Sequence, residues 1–159
     1  MHQARNLTWK LLRLSWRDRF LLHEAVFWLT LASLAIAVLP FAHLGWLAST
    51  SMGGGALPHQ RRLVETSRVR WAVVACARWV PWRAVCFQQG LAAHFMLRWR
   101  CIPSVLYYGA ASDDRFGLSA HVWVCAGDVN VVGGESASRY AVLATFPPEG
   151  RNTDSRELS

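Results

Sequence analysis

The feature that most constrains the fold of this chain is an uncharged segment of 24 residues, Ala25–Ala48. Such a segment must be covered by protein or by lipid, and it meets the length requirement for a transmembrane helix. Pro40 interrupts the segment, and a proline removes a hydrogen bond from a helix interior. We therefore expect a packed helix at Trp16–Leu39 and a short second segment at Phe41–Leu47. A peripheral membrane contact and a true span are the alternatives.

The positive charge of the chain is concentrated in one stretch. The formal net charge is +7, and residues 61–100 hold eight arginines against the single acid Glu65. Arginine pairs with carboxylates and phosphates, but this spacing matches no motif of nucleic-acid recognition, so no nucleic-acid partner is expected. Solvated helix faces or an acidic peptide or protein partner account for the arginines. This stretch and the apolar N-terminal helix are the candidate partner surfaces.

The cysteines favour a reducing compartment. The four cysteines, at positions 76, 86, 101 and 125, form no Cys-x₂-Cys pair, so a structural zinc site is not expected. The segment Met1–Arg19 is polar and basic and lacks the features of a signal peptide. We therefore expect free thiols and no disulfide.

The order of the predicted elements indicates an α+β fold. Apolar residues at spacings of three and four predict helices over residues 7–39, Arg61–Val80 and Arg83–Arg100. Short β-like runs follow Pro103, at Val105–Ala110, Leu118–Ala126, Val129–Val132 and Tyr140–Phe146. Helices followed by a small antiparallel sheet are typical of the α+β class. The chain then divides into a helical region with a Gly-rich loop (1–60), a core (61–146) and a disordered tail (147–159).

Cys86 and His121 are the candidate catalytic residues. Cys86 lies in the first turn of the third predicted helix, where free N–H groups and the helix dipole stabilise a thiolate. His121 lies within a predicted strand, with Trp123 and Cys125 on the same face. A helix N-terminus packed on the sheet can bring the thiol and the imidazole together as nucleophile and base. A buried structural cysteine and a packing histidine are the alternative interpretation.

A third group should orient the imidazole. A hairpin that turns at Gly127 places residue 133 opposite His121, and this residue is a glycine. Glu135 is the first acid beyond it and is our prediction for the orienting group. A backbone carbonyl or the amide of Asn130 could fill the same role.

Three runs of sequence carry a family resemblance: Pro81–Cys86 (Pro-Trp-x-x-x-Cys), Ala120–Val124 (Ala-His-x-Trp-Val) and Gly133–Tyr140 (Gly-Gly-Glu…Arg-Tyr). With them the chain resembles the leader peptidases of lasso-peptide biosynthesis, which belong to the transglutaminase-like thiol-protease superfamily. The resemblance implies a papain-like core in which the nucleophile-bearing helix packs on a small antiparallel sheet. It also implies a Cys-His-Asp triad, with Cys86 and His121 as the first two members and Gly133 where the acid is expected.

The resemblance further implies an activity and its partners. Such enzymes are cytoplasmic and cut the leader from a ribosomally made precursor peptide, with no metal or cofactor. A leader-recognition protein delivers the precursor, and an ATP-dependent macrolactam cyclase similar to asparagine synthetase closes the ring. Two other functions fit the sequence: a non-catalytic membrane-associated scaffold, and a transglutaminase-like acyltransferase in which an amine clears the thioester.

Overall fold

Pro40 divides the apolar N-terminal segment into two helices, as the sequence predicts. The computed structural model describes residues 15–49, 57–113 and 117–148. Leu39 has the extended backbone that a following proline imposes, with ψ 137°, and it ends the first helix. Within these residues there are four α-helices: α1 (Trp16–Val38), α2 (Phe41–Ser49), α3 (His59–Ala77) and α4 (Cys86–Trp99). The predictions for residues 7–14, 50–56 and 149–159 lie outside the described residues.

Helix α4 begins at Cys86 itself and ends in a Schellman motif. The N–H of Ile102 donates to the carbonyl of Leu97 (3.0 Å) and the N–H of Cys101 donates to that of Arg98 (2.9 Å). Cys101 occupies the left-handed position of this motif, with φ 55°, where glycine is the usual residue. Pro103 follows directly and prevents the helix from continuing.

A four-stranded antiparallel sheet follows the helices, and it confirms the α+β prediction. Its strands are β1 (Val105–Asp113), β2 (Gly117–Ala126), β3 (Val129–Val132) and β4 (Ala141–Phe146). Their spatial order is β3-β2-β1-β4, so β3 and β4 form the two edges. A 3₁₀ helix, Gly134–Arg139, connects one edge to the other. The chain therefore crosses a face of the sheet between β3 and β4.

One hydrophobic core joins the helices to the sheet. Helix α1 contributes a buried stripe, and α4 is the central helix, with contacts to α1, α3 and all of β1–β3. The fully buried side chains at the centre are Leu29, Val69, Leu91, Met96, Leu97, Leu106, Val122 and Val124. Because α1 shares this core, the predicted division of the chain near residue 60 separates elements that pack together.

A glycine brings α4 unusually close to β2. A Cβ built on Gly90 would lie 2.7 Å from Cγ1 of Val122 and 3.8 Å from Cγ2 of Val124. Carbon atoms pack at about 3.5–4.0 Å, so only a residue without a side chain fits this helix–strand distance. Gly90 lies one turn after Cys86 on the same side of α4. The close approach therefore sets the position of the start of α4 relative to β2.

Candidate active site

Cys86 occupies the first position of α4. The preceding residue, Val85, is apolar and makes no side-chain cap hydrogen bond to the helix. Uncapped N–H groups and the helix dipole favour an anion at this end of a helix. The thiol is partly exposed. Cys86 therefore has the helix position and the access that a nucleophilic thiol needs.

The residues around the start of α4 include an indole N–H without an acceptor. Nε1 of Trp82 is buried, and among the described residues it has no hydrogen-bond partner. Buried donors without partners are rare in folded proteins, and they often serve a function. Trp82 lies four residues before Cys86 and belongs to the run Pro81–Cys86. It is a candidate donor to an oxygen of a bound substrate.

His121 is held by one of its two ring nitrogens. Its Nε2 lies 2.8 Å from the carbonyl oxygen of Gly133. A carbonyl oxygen only accepts, so Nε2 carries the proton, and in the neutral ring Nδ1 keeps the free lone pair. The ring also stacks on Tyr140 at 4.9 Å and on Trp123 at 6.1 Å between centroids. These contacts fix the imidazole in a tautomer whose Nδ1 can accept a proton.

Gly133 supplies a backbone carbonyl where the resemblance expects an acidic side chain. Its φ is 77°, in the left-handed region that glycine adopts most easily. A Cβ at this position would lie 2.5 Å from the carbonyl oxygen of Val122 and 3.3 Å from Nε2 of His121. Any other residue would therefore force the backbone to shift. Sequence reasoning correctly places residue 133 beside His121, and the structure shows that the contacting group is its carbonyl.

Glu135 lies near His121 but pairs with Arg70. Its Oε1 accepts a hydrogen bond from Arg70 at 2.8 Å, and its side chain is 67% exposed. The hydrogen bond from its own N–H, the Arg70 guanidinium and the nearby imidazole of His121 hold the pKa of the Glu135 carboxyl below its ordinary value. Arg70 also donates to the carbonyl of Asn130 at 3.1 Å. It thus links both ends of the segment that carries the Gly133 carbonyl.

The other candidate orienting group, the amide of Asn130, is engaged elsewhere. Its Oδ1 accepts from the thiol of Cys125 at 3.2 Å. Among the described residues, the hydrogen bond of the His121 imidazole is the one to the carbonyl of Gly133. The direct role predicted for Glu135 stays a prediction, and its visible contact is the ion pair with Arg70.

Cys86 and His121 lie on packed elements without a hydrogen bond between them. Val122 and Val124 point from β2 toward α4, so the alternating residues His121 and Trp123 project from the other side of the strand. Across the described residues, no hydrogen bond links the Cys86 thiol to His121. The structure therefore places His121 on the side of β2 that faces away from α4, and it does not bring the imidazole to the Cys86 thiol.

A comparison with family models identifies the domain. The family model described as transglutaminase-like superfamily matches residues 27–145, which is most of the chain. The chain belongs to the transglutaminase-like superfamily. No curated protein and no solved structure gives a match. The family match includes α4 and β2, and this superfamily includes cysteine peptidases and acyltransferases.

The remaining cysteines of this transglutaminase-like domain are in poorer settings for nucleophilic attack. Burial raises the pKa of Cys76 to about 11, and it also raises the pKa of Cys125. Cys101 occupies the left-handed backbone position at the C-terminal end of α4. All four thiols are free. Among them, Cys86 alone lies at a helix N-terminus in the described structure.

Arg70 is the residue of this site that sequence reasoning missed. It is one of eight arginines between residues 61 and 100, and its spacing does not distinguish it from the others. Its contacts with Asn130 and Glu135 span 60 and 65 residues of sequence. Only the packing of α3 against β3 shows which arginine reaches the His121 segment.

Proposed function

We propose that this protein is a cysteine peptidase that removes the leader peptide from a ribosomally synthesised lasso-peptide precursor. The observation that carries the proposal is the setting of the two reactive groups. Cys86 starts an uncapped helix in a transglutaminase-like domain, and His121 is held through Nε2 with Nδ1 as its proton acceptor. A thiol nucleophile and an oriented imidazole base are the parts that this chemistry requires.

The proposed reaction proceeds through a thioester. Nδ1 of His121 takes the proton of Cys86, and the thiolate attacks the carbonyl carbon of the last leader residue. The C–N bond then breaks, and the imidazolium protonates the departing amine of the core peptide. Water hydrolyses the thioester, which releases the leader carboxylate and restores the thiol. The first transfer requires Sγ and Nδ1 to come within hydrogen-bond distance. Because His121 projects from the side of β2 that faces away from α4, the proposal requires the start of α4 or the imidazole to move when substrate binds.

Two kinds of donor are available for the oxyanion of the intermediate. The N-cap residue of α4, Val85, gives the helix no side-chain cap, and the indole N–H of Trp82 is buried without a partner among the described residues. Donors that are already in place where negative charge develops are among the strongest contributions to catalysis. We assign the oxyanion to the start of α4, with Trp82 as the candidate side-chain donor.

We propose that His121 is oriented by the carbonyl of Gly133, and that Glu135 acts indirectly. Glu135 binds Arg70, and Arg70 binds the carbonyl of Asn130, so the pair stabilises the turn that presents Gly133. An exposed ion pair of this kind contributes only about 0–1 kcal/mol. The role of Glu135 is then positional, and removal of its charge has a small effect.

The partners of the proposed peptidase follow from the resemblance. They are the precursor peptide, a leader-recognition protein and a macrolactam cyclase similar to asparagine synthetase. The arginine-rich helix α3 is our candidate for the surface that meets a partner, since Arg61 and Arg70 are exposed on it. A cytoplasmic location belongs to the same proposal.

Incubation with the precursor peptide encoded beside the gene, together with its recognition protein, tests the activity by mass spectrometry. We expect wild-type protein to release the leader and the core as separate masses. Cys86→Ala should abolish release without a change in thermal unfolding, whereas Cys125→Ala, at another partly buried thiol, should cleave as wild type does. Undiminished cleavage by Cys86→Ala would rule out the proposal.

A transglutaminase-like acyltransferase is the second candidate, because the superfamily includes both activities. In an acyltransferase an amine, in place of water, attacks the thioester and takes the acyl group. Addition of methylamine to the same incubation separates the two. A leader product that carries the added amine as its main mass supports the transferase, and a free leader carboxylate supports the peptidase.

A further inference from the structure

The solvent side of α1 carries an apolar stripe, which the exposed His23 interrupts between Phe20 and Phe27. Its members are all exposed: Trp16, Phe20, Phe27, Leu31, Leu34 and Val38. At 3.6 residues per turn these positions fall within about 60° of the helix circumference. The buried stripe of the same helix, which includes Leu21 and Leu29, lies on the opposite side. Helix α1 is thus apolar on both sides, and the core covers only one of them.

Four polar side chains of α1 are satisfied within the protein, and His23 is exposed. The hydroxyl of Thr30 donates to the carbonyl of Val26 at 2.7 Å, and that of Ser33 donates to the carbonyl of Leu29 at 2.8 Å. The two acids of the helix form ion pairs: Asp18 with Arg68 of α3, and Glu24 with Arg100, which follows α4. Such internal pairing is what a low-dielectric environment requires of polar groups beside it.

Basic residues flank one end of the stripe. Arg17 and Arg19 are exposed, and at 100° per residue they lie on either side of Trp16 and Phe20. Tryptophan and arginine together are typical of helices at a membrane–water interface, where the ring meets the headgroups and the cation meets anionic lipid. The helix is also long and apolar enough to cross a membrane by length and composition.

We propose that this stripe docks the protein on a membrane that contains anionic lipid. Helix α1 lies flat at the lipid surface, because Leu21, Ala25, Leu29 and Ala32 hold its other side in the domain core. A second copy of the chain fits less well. A protein interface forms about one hydrogen bond per 100–200 Å², and the stripe offers apolar side chains with His23 as its polar member. Leader removal would then take place at the membrane surface.

Sedimentation with lipid vesicles tests the proposal on the full chain. We expect binding to phosphatidylglycerol–phosphatidylcholine vesicles, weaker binding to phosphatidylcholine alone, and release by salt. Leu34→Glu should lower the partition coefficient at least about tenfold, since it replaces a lipid-contacting leucine with a charge. Leu143→Glu, at a leucine of similar exposure on β4, is the matched control and should bind as wild type does.

Several results would overturn the proposal. They are no binding to the mixed vesicles, equal binding to both lipid compositions, and equal loss in the two leucine variants. Retention in vesicles after an alkaline wash would mean that α1 inserts and would contradict a flat surface contact. A dimer in light scattering that Leu34→Glu dissociates would assign the stripe to a second copy. Thermal unfolding of Leu34→Glu checks that the variant is folded, and the lipid and salt dependence of wild type needs no variant.

Discussion

Replacement of Gly90 by alanine tests whether the distance between α4 and β2 matters for activity. The new Cβ would lie 2.7 Å from Cγ1 of Val122. Ordinary carbon contacts are about 3.5–4.0 Å, so α4 or Val122 must move by about 1 Å. Because Cys86 lies one turn away on the same helix, its thiol moves relative to His121.

The expected losses of stability and of activity differ in size. Overpacking a core costs about 1–3 kcal/mol. Alanine regains about 1 kcal/mol of helix propensity over glycine, which leaves a net loss of about 0–2 kcal/mol. The melting temperature should then fall by at most about 8 °C. A displacement of about 1 Å at the reacting groups lowers the rate about 100-fold, so turnover should fall far more than stability.

Precursor cleavage and thermal unfolding, measured on the same samples, check this prediction. The double variant Gly90→Ala/Val122→Ala removes the clashing methyl and should recover much of the turnover. Gly45→Ala is the matched control, because a Cβ there would also be tight, 2.6 Å from Cε1 of Phe146, but on a helix without the nucleophile. Wild-type turnover in Gly90→Ala would refute the claim that this contact sets the catalytic geometry.

Five further substitutions have defined outcomes. Gly133→Ala should lower turnover at least about tenfold, which corresponds to about 1.4 kcal/mol, because the backbone that presents the carbonyl to His121 must shift. Glu135→Gln should lower turnover less than about threefold, because an exposed ion pair contributes less than about 1 kcal/mol. The reverse order in steady-state cleavage would restore Glu135 as the orienting acid. Trp82→Phe should lower kcat of cleavage and leave the melting temperature nearly unchanged, because it removes only an indole N–H without a partner among the described residues; an unchanged kcat would exclude that donor. Burial lowers the pKa of His94 from 6.5 to about 4. Since the unfolded chain binds the proton more tightly, the free energy of unfolding should be highest above pH 6.5 and should fall by about 3 kcal/mol as the pH falls toward 4. Urea unfolding at pH 7 and pH 4 should show a smaller decrease for His94→Gln than for wild type. Cys101→Gly should raise the free energy of unfolding by about 1 kcal/mol by relieving a left-handed backbone, and a decrease would show that the Cys101 side chain outweighs that strain.

Local sequence patterns predicted most of the elements. Pro40 separates α1 from α2, Pro103 follows the end of α4, and the turn at Gly127 joins β2 to β3, all as the sequence predicts. Strand ends moved by a few residues, since β1 continues to Asp113 through pairing with β2. Helix α4 starts at Cys86, three residues later than predicted.

The site was harder to predict, because its contacts are made by backbone groups and distant residues. Sequence spacing predicts residue 133 beside His121. The contacting group is a backbone carbonyl, which any residue type can supply, so a prediction based on side chains favours Glu135 instead. The partner of Glu135, Arg70, comes from another helix. The apolar segment also has two roles that composition does not separate: one side of α1 is core, and the other is exposed.

The central claim is that Cys86 forms an acyl thioester with the leader. Intact-protein mass spectrometry after rapid acid quench of the precursor incubation measures it directly. We expect an adduct with the mass of the leader acyl group on wild-type protein. Peptide mapping should locate it on Cys86, and it should be absent from Cys86→Ala. Cleavage of the precursor with no adduct on Cys86, or an equal adduct on Cys86→Ala, would contradict it.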